Sequence, residues 1–348
     1  MNSTQVTPCI VHSTTGNTPK LYNAQVMGSI PTVSVLVPTY QYGHFLAQAI
    51  ESILNQDFKD FELLISDDCS EDSSAQIIRS YAALDSRIRY VIHSKNLGMV
   101  NNWNWCLTEA KGKYIKYVFA DDILPRKDSL GLLVSLLENN PAATMASSAR
   151  QIIDESSKPI DIWSGIDQSG FHQGDSVIAR CIRNDRNLIG EPSAVIFRRS
   201  SAARFFDSSL KQLVDQEMWF HLLTQGGLMY SSEPLCAFRR HSAQQTAINQ
   251  KNQVTSAEST RIMVRYFNAF KNALISSGWY NFNQRLFKHI YYARKDSAKS
   301  KVSEVAQARL LLELTKPGYC LFLSLHRLSK PFVNLARSIK TPKNVSCL

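Results

Sequence analysis

The stretch VSVLVPTYQYGHFLAQAIESILNQDFKDFELLISDDCSEDS at residues 33–73 decides the fold class. It opens with an apolar run over 33–37 that predicts a buried β-strand, and the segment over 45–54 then repeats apolar residues at helical spacing. A second apolar run over 61–66 predicts another strand, which ends at two consecutive aspartates. A strand, an amphipathic helix and a strand in this order predict a βαβ unit with parallel strands.

The same alternation continues to about residue 150. Apolar runs over 88–92, 114–119 and 142–148 predict further strands, and helices are predicted over 70–81, 99–110 and 129–137, the first with Ser70 as its N-cap and the second stopping at Gly112. This is the pattern of an α/β fold with a mixed, mostly parallel sheet flanked by helices. We expect loops and a few strands over 150–240, completing a substrate cleft.

The chain divides into three predicted parts: a polar N-terminal arm over 1–30, one domain over 31–245, and a helical basic region over 255–348. Residues 1–250 hold 22 Lys and Arg against 25 Asp and Glu, whereas residues 251–348 hold 17 against 4. The excess positive charge of this 348-residue chain therefore lies in its last hundred residues. A nucleic-acid-binding or scaffolding protein that uses this basic region remains an alternative function.

Location and redox state follow from what the chain lacks. No stretch of eighteen apolar residues and no apolar N-terminal leader is present, which predicts a cytoplasmic protein. The seven cysteines are scattered and never form a C-x-x-C pair, so we expect reduced thiols and no zinc site. Neither common phosphate-binding glycine motif occurs, so any nucleotide must bind without a glycine cradle.

Two acidic pairs follow predicted strands. Asp67 and Asp68 come after the strand over 61–66, and Asp121 and Asp122 come after the strand over 114–119. Because the carboxyl ends of parallel strands meet at one edge, where open α/β sheets bind ligands, these carboxylates should gather there. A hard divalent cation would neutralise their repulsion, although acidic residues after a strand can also simply cap the following helix.

Several motifs in the first half share an order and spacing with a known family. After residues 33–73 come Asn96-Leu97-Gly98, Asn104, the segment AKGKYI at 110–115, and Ala120-Asp121-Asp122. Together they resemble glycosyltransferase family 2, whose members have the GT-A fold. The resemblance covers roughly residues 30–245 once the second half is included.

The resemblance implies how a nucleotide-sugar donor would be held. Pro38, Thr39 and Tyr40 match the loop that closes over the nucleotide base. Asp67 and Asp68 match the acidic pair that reads the base and the nearby ribose. UDP- and dTDP-linked sugars are the favoured donors.

The second acidic pair matches the motif that holds ribose hydroxyls and a divalent metal, Mg²⁺ or Mn²⁺. The resemblance implies that Asp122 binds the metal, that Asp121 binds the ribose and that Asn104 lies on the donor side. Many members have D-x-D-D here, whereas this chain has Phe119 in the first acidic position. The division of roles between Asp121 and Asp122 is left open for that reason.

The segment VDQEMW at 214–219 resembles the family motif E-D-x-[DE]-L-W, which implies that Asp215 is the catalytic base. Val214 replaces the acid that usually precedes it. A carboxylate in the first turn of a helix also stabilises that helix, which is the alternative explanation.

Two further segments carry candidate site residues. Gly190, Glu191 and Pro192 resemble the acceptor side of bacterial members, although such residues also form ordinary turns. His241, after two arginines, resembles a basic stretch in which the histidine can ligate the metal; a surface loop is the alternative. The tail over 317–340 mixes apolar and basic residues, so it could lie on an anionic membrane or pack on the domain.

These features together predict an inverting, metal-dependent glycosyltransferase. The resemblance implies that the acceptor is a glycan or a lipid-linked molecule of bacterial surface polysaccharide assembly, reached at the inner face of the plasma membrane. No nucleic acid is expected as a partner. A sugar-nucleotide nucleotidyltransferase is the enzymatic alternative. Such enzymes usually carry a glycine-rich basic loop after the first strand, and the sequence PTYQYG at 38–43 lacks one.

Overall fold

The computed structural model describes residues 20–22, 30–184, 186–241, 258–259, 261–263, 265–266 and 269. Nine strands and six α-helices are formed within this part of the chain. Their order is β1 (Val33–Thr39), α1 (Gly43–Leu54), β2 (Phe61–Asp67), α2 (Ser74–Leu84), β3 (Ile88–Ile92), α3 (Met99–Glu109), β4 (Tyr114–Tyr117), α4 (Ser129–Glu138), β5 (Ala143–Ile153), β6 (Pro159–Trp163), β7 (Gly170–His172), α5 (Gly174–Asn184), β8 (Val195–Arg198), α6 (Val214–Leu223) and β9 (Gly227–Arg239).

All of these strands join one sheet. Its main path runs β3, β2, β1, β4, β8, β5, β9 and β7, and β6 pairs with β5. β1 pairs in parallel with β2 and β4, β2 pairs in parallel with β3, and β5 pairs in parallel with β9. The remaining pairs, which involve β8, β6 and β7, are antiparallel and shorter. The prediction of a mixed, mostly parallel sheet is confirmed, and β1, β2 and β4 end at the same edge.

Helices cover both faces of the sheet. α1, α2 and α4 pack their apolar residues into one buried cluster, which explains the continuous apolar runs of β1 and β2. α3, α5 and α6 pack into a second cluster on the opposite face. This three-layer arrangement is the predicted α/β architecture.

A buried ion pair lies near the edge of the sheet at which the parallel strands β1 and β2 begin. Glu62 of β2 accepts hydrogen bonds from Arg89 Nη1 and from the Ser34 hydroxyl, both at 2.5 Å. The same carboxylate accepts a bond from the Lys111 backbone N–H at 2.7 Å. The Glu62 carboxylate at this edge is thus paired with a guanidinium, a hydroxyl and a backbone N–H.

Some predicted element boundaries were wrong. Ser70 is not a helix N-cap, because its hydroxyl accepts a hydrogen bond from Gln41 N at 2.9 Å and its own N–H bonds to Asp67, which keeps this segment a loop. Ser73 is the N-cap residue of α2. β4 ends at Tyr117, two residues before the predicted end.

The region over 150–240 contains a helix that the sequence interpretation did not include. α5 buries Val177, Ile178, Cys181 and Ile182, which recur at helical spacing along one face. This face packs into the same apolar cluster as α6. The region is therefore more regular than expected.

Parts of the two ends of the chain pack on the domain. In the N-terminal arm, Tyr22 forms a β-bridge to Tyr90, and their rings stack at 5.1 Å. After residue 257 every described residue is helical, and Ile262 and Tyr266 join the buried cluster around α6. The tail over 317–340 lies outside the described residues. Among the residues that are described, no helix is long and apolar enough to span a membrane.

Candidate active site

The first group of polar side chains lies where β1 and β2 end. Thr39 and Asp67 are register partners at the last positions of these strands. Asp67 Oδ2 accepts a hydrogen bond from Ser70 N at 3.1 Å, but Asp67 Oδ1 and the Thr39 hydroxyl are buried with no partner in the described part of the chain. Burial raises the pKa of Asp67. Buried polar atoms without partners are costly, so this pair marks a place where a ligand can supply hydrogen bonds.

Asp68 and Tyr40 flank this pair in different ways. The Asp68 carboxylate accepts hydrogen bonds from Leu97 N at 2.6 Å and Gly98 N at 3.0 Å, which fixes the loop before α3. Tyr40 is 47% exposed and follows the buried Pro38 and Thr39 at the end of β1. The predicted base-side residues therefore share one edge, with Asp68 holding a loop and Tyr40 open to solvent.

The second group follows β4. His241 Nε2 lies 3.0 Å from Asp121 Oδ2, and the His241 ring is surrounded by Tyr42 and Phe45 at centroid distances of 5.7 and 5.3 Å. β9 brings His241 to this position, because its last residue, Arg239, donates from its backbone N–H to Asp122 Oδ1 at 3.0 Å. The histidine and the acidic pair, predicted from distant parts of the sequence, therefore meet.

Asp122 is the more deeply buried member of this pair. Its Oδ2 atom has no hydrogen-bond partner among the residues described, and burial, with the charge on Asp121 as a second cause, raises its pKa well above the usual range. The same burial, together with both aspartates, raises the pKa of Tyr42. A buried carboxylate oxygen that lacks a hydrogen-bond partner and feels the charges of Asp121 and Glu191 is a suitable ligand for a cation.

The donor atoms at the end of β4 fit a hard divalent metal. Across the described ranges, no three His, Cys, Asp or Glu side chains converge as a complete metal centre. Mg²⁺ commonly uses only one or two protein carboxylates and completes its shell with water and substrate phosphate oxygens. The unpaired Asp122 Oδ2 and the nearby His241 Nε2 supply an incomplete set of this kind.

Asp215 lies in the first turn of α6, beside the loop that carries Gly190. Asn187 Nδ2 contacts Asp215 Oδ2 at 3.4 Å and also donates to the Gly190 carbonyl at 3.1 Å. Trp219, one turn further along α6, donates from Nε1 to the same carbonyl at 3.0 Å. The Asn187 side chain thus connects Asp215, the predicted base, to Gly190 of the predicted acceptor-side segment.

The pKa of Asp215 suits proton transfer near neutral pH. Burial raises it to about 7, the Glu191 carboxylate adds to the rise, and the Gln216 backbone N–H and the Arg150 guanidinium favour the ionised form. A carboxylate whose pKa lies close to the working pH is a good proton acceptor for a hydroxyl group.

Arg150 is a buried cation that the sequence interpretation did not assign. Its side chain on β5 is 4% exposed, and its Nε lies 2.8 Å from Glu191 Oε2. Gly190 adopts a φ of 122°, which favours glycine, and an added Cβ there would lie 2.9 Å from Ala194 Cβ. With this backbone conformation, the Glu191 carboxylate pairs with Arg150, and its charge also acts on Asp215.

Ser193 and Lys116 connect this segment to β4 and the loop that follows it. Phe119 N donates to the Ser193 hydroxyl oxygen at 3.0 Å, and the buried Lys116 ammonium donates to the Ser193 carbonyl. Burial lowers the pKa of Lys116 to about 8. The Ser193 hydroxyl in turn favours the ionised form of Asp122. Residues 187–193 therefore contact Asp215 at one end and the loop that carries Asp122 at the other.

Comparison with known proteins agrees with this arrangement. The model of the family described as glycosyl transferase family 2 matches residues 34–205. An uncharacterized protein of Mycobacterium tuberculosis is 30% identical over 67% of this chain and 70% of its own length. A glycosyltransferase of Haemophilus influenzae, itself uncharacterized, is 27% identical over 69% of this chain and 76% of its own.

The chain belongs to glycosyltransferase family 2.

Solved structures confirm the GT-A-like fold of this family 2 glycosyltransferase. Residues 1–349 of TarS from S. aureus, in complex with UDP-GlcNAc, align with a TM-score of 0.56 at 18% identity, over 80% of this chain and 78% of TarS 1–349. The mannosyltransferase PcManGT from Pyrobaculum calidifontis, in complex with GDP-Man and Mn²⁺, aligns with a TM-score of 0.50 at 15% identity, over 86% of this chain and 87% of its own.

Asn104, which was predicted to lie on the donor side, and Arg239, which lies two residues before His241, form hydrogen bonds within the fold. The Asn104 amide pairs with the Phe206 backbone, donating to its carbonyl at 2.9 Å and accepting from its N–H at 2.8 Å. A role for Asn104 in donor binding stays a prediction. The Arg239 guanidinium is buried and bonds to Gln48 Oε1 at 2.6 Å and to the Asp121 carbonyl at 2.7 Å, so it braces the loop after β4.

The glycosyltransferase site also contains residues that sequence reasoning missed. They are Tyr42, Lys116, Arg150 and Asn187. Lys116 and Arg150 each lie within a buried strand, and a charged residue in a buried strand signals a partner. That signal was present in the sequence, whereas the partners of Asn187 and Ser193 became visible only in the fold.

Proposed function

We propose that this glycosyltransferase is an inverting, metal-dependent enzyme that moves a hexose from a nucleoside-diphosphate sugar to an acceptor hydroxyl. The observation that carries the proposal is the bridge over 187–193. Asn187 contacts Asp215 at one end of this segment, and the Ser193 hydroxyl stabilises ionised Asp122 at the other. One segment thereby holds a proton acceptor close to an acid suited to metal binding.

The donor would lie along the carboxyl edge of β1, β2 and β4. Thr39 and Asp67 have buried polar atoms, unpartnered within the described structure, that can bind the base and ribose, with Asp68 and the 38–40 loop beside them. Asp121, next to His241, would contact the ribose. The diphosphate would then point towards Asp122.

Asp122 and His241 would hold Mg²⁺ or Mn²⁺. When bound, the metal stabilises the negative charge that develops on the departing diphosphate. The presence of GDP-Man and Mn²⁺ in the fold relative PcManGT supports this proposal.

Asp215 would act as the general base. It accepts the proton of the acceptor hydroxyl while that oxygen attacks the anomeric carbon from the face opposite the diphosphate. The bond to the new oxygen forms as the bond to the diphosphate oxygen breaks, so the anomeric configuration inverts. Asn187 orients the carboxylate for this step, and Glu191 and the 190–192 segment face the acceptor.

UDP- or dTDP-linked sugars are the proposed donors, and UDP-GlcNAc in the TarS complex supports the first of these. The proposed acceptor is a glycan or lipid-linked molecule of surface polysaccharide assembly, reached at the inner face of the plasma membrane. TuaG of Bacillus subtilis, named as a teichuronic acid biosynthesis glycosyltransferase, is 25% identical over 60% of this chain and supports this setting. Family membership favours sugar transfer over nucleotidyl transfer and over nucleic-acid binding.

A donor screen tests the proposal. Purified protein is incubated with UDP-, dTDP- and GDP-sugars, with Mg²⁺ or Mn²⁺ or with EDTA, and free nucleoside diphosphate is measured. We expect release from at least one donor, loss of release in EDTA, and at least a 100-fold loss in Asp122→Ala, on the order of what one charge-stabilising group contributes.

The control for this screen is Asp128→Ala, which removes an exposed carboxylate paired with Arg126 and should release nucleoside diphosphate as the wild type does. Release that is unaffected by EDTA and by Asp122→Ala would contradict the metal role. No release from any donor would contradict the proposed reaction.

A further inference from the structure

The first described residue of the C-terminal region binds the chain directly before α6. The Glu258 carboxylate accepts hydrogen bonds from three consecutive backbone N–H groups, those of Lys211, Gln212 and Leu213, at 2.6, 2.9 and 2.8 Å. Glu258 is 8% exposed. Bonds from N–H groups to a buried carboxylate are about twice as strong as neutral ones.

Arg265 and Tyr266, from the same part of the chain, make a second polar contact with α6, at Glu217. This carboxylate has no exposed surface and accepts hydrogen bonds from the Tyr266 hydroxyl at 2.7 Å and from Arg265. Arg204, from the segment before α6, completes its set of partners at 2.7 Å. Glu217 lies two residues after Asp215, so both contacts fall on the first turn of the helix and the residues before it.

Apolar packing supports these polar contacts. Ile262, Met263 and Tyr266 are buried in the cluster that contains α6, and the Tyr266 ring meets Phe220 edge-on at 5.7 Å. Glu258 therefore contacts the residues directly before α6 through its carboxylate, and Tyr266, Ile262 and Met263 contact α6 through a hydroxyl and an apolar surface. The N-cap residue Leu213 makes no side-chain cap of its own, and within the described residues its backbone N–H donates to the Glu258 carboxylate.

We propose that Glu258 is a positioning residue for Asp215, so that Glu258 and the described residues up to Tyr266 form part of the catalytic unit of this enzyme. Glu258 fixes the three residues before α6, and Tyr266 fixes the first turn, which together set where the Asp215 carboxylate lies. The inference rests on the proposed role of Asp215 as the base. A proton acceptor displaced by about 1 Å can lose on the order of 100-fold in rate.

Glu258→Gln tests this inference in the full-length protein. An amide cannot accept hydrogen bonds on both of its terminal atoms, so at least one of the three bonds is lost. The concentration of intact sites is measured by titration with UDP, or with the diphosphate of the donor that the screen identifies. We expect kcat per intact site to fall about 10- to 100-fold, with the donor KM within about 2-fold of wild type.

The same substitution is then made in the Asp215→Asn background. If Glu258 acts through Asp215, the second change lowers the residual rate by less than about 2-fold, because coupled positions are not additive. A residue that only stabilises the fold would lower the number of intact sites and leave the rate per site unchanged. Glu138→Gln, which removes an exposed ion pair with Lys113, is the control and should change neither quantity.

Two results would overturn the inference: a wild-type rate per site in Glu258→Gln, or an equal further loss in the Asp215→Asn background. If Glu258→Gln yields no UDP-binding protein, Tyr266→Phe is judged by the same two criteria, since it removes only the hydroxyl that bonds to Glu217. If Asp215→Asn alone keeps wild-type turnover, the proposed function fails. If that variant is inactive and Glu258→Gln is normal per site, only the positioning role fails.

Discussion

Burial determines the chemistry of Asp215 at the scale of single residues. Its carboxylate has a pKa of about 7, and the Glu191 carboxylate contributes to that rise. A general base must be ionised before it can accept a proton, so kcat/KM of the wild type should fall as the pH drops through about 7.

Replacing Glu191 by glutamine should move this loss of activity to lower pH. The substitution removes the Glu191 charge, which disfavours ionised Asp215. It also leaves the Arg150 charge, which favours ionised Asp215, without its anionic partner. Both effects lower the pKa of Asp215. The pH dependence of kcat/KM measures the shift. Glu233→Gln, an exposed carboxylate paired with Arg126, should keep the wild-type profile. A profile of Glu191→Gln that stays in place or moves to higher pH would contradict this electrostatic account.

The acidic site residues could be identified from the sequence, but the residues that contact them could not. Asp67, Asp122 and Asp215 could be found because each follows a strand or opens a helix in a matching motif. Arg150 and Lys116 could not be assigned partners, since the Glu191 carboxylate and the Ser193 carbonyl reach them only after β8 has paired between β4 and β5.

At the scale of elements, strands and helices with strong apolar periodicity were predicted within a few residues. β1 and β2 are buried along their whole length, which leaves a continuous apolar run in the sequence. α5 was missed because Asp, Ser and Gly residues around it resemble loop composition, although its buried face keeps helical spacing. Boundaries set by tertiary hydrogen bonds, such as the start of α2, could not be predicted.

The backbone at Gly112 packs so closely on β1 that no side chain fits at this position. It follows α3 and lies against the start of β1, where an added Cβ would be 2.4 Å from Ser34 N and 2.6 Å from Val33 C. Because these are backbone atoms, they cannot move aside cheaply. Gly112→Ala should therefore lower the free energy of unfolding by about 1–3 kcal/mol, as measured by urea denaturation.

A second glycine gives the matched control for that substitution. An added Cβ at Gly131 in α4 would lie 3.7 Å from Phe58 Cβ, which is an ordinary contact distance. Gly131→Ala should leave stability unchanged or raise it by up to about 1 kcal/mol, because alanine favours the helix. Equal unfolding free energies for Gly112→Ala and the wild type would show that the packing at β1 is looser than described.

At the scale of the whole molecule, the site is assembled from segments far apart in the chain. The loop after β4 supplies Asp122, α6 supplies Asp215, and the segment directly after β9 supplies His241. Glu258 and Tyr266 hold α6 from outside the segment that the family model matches. The sequence predicted a helical basic region over 255–348 and left open whether its tail packs on the domain. The described residues from Glu258 onward pack on the domain, because Ile262 and Tyr266 complete an apolar cluster that sequence alone does not locate.

The central claim is that Asp215 performs the chemistry at a site where other acids bind the donor. Its most direct test compares the turnover and the nucleotide affinity of Asp215→Asn with those of the wild type. We expect kcat to fall by about 100- to 10,000-fold, the usual contribution of a general base, with the dissociation constant for UDP and Mn²⁺ within about 2-fold of wild type. Asp175→Asn, an exposed acid in the first turn of α5, should behave as the wild type in both measurements. Near wild-type turnover in Asp215→Asn would contradict the account.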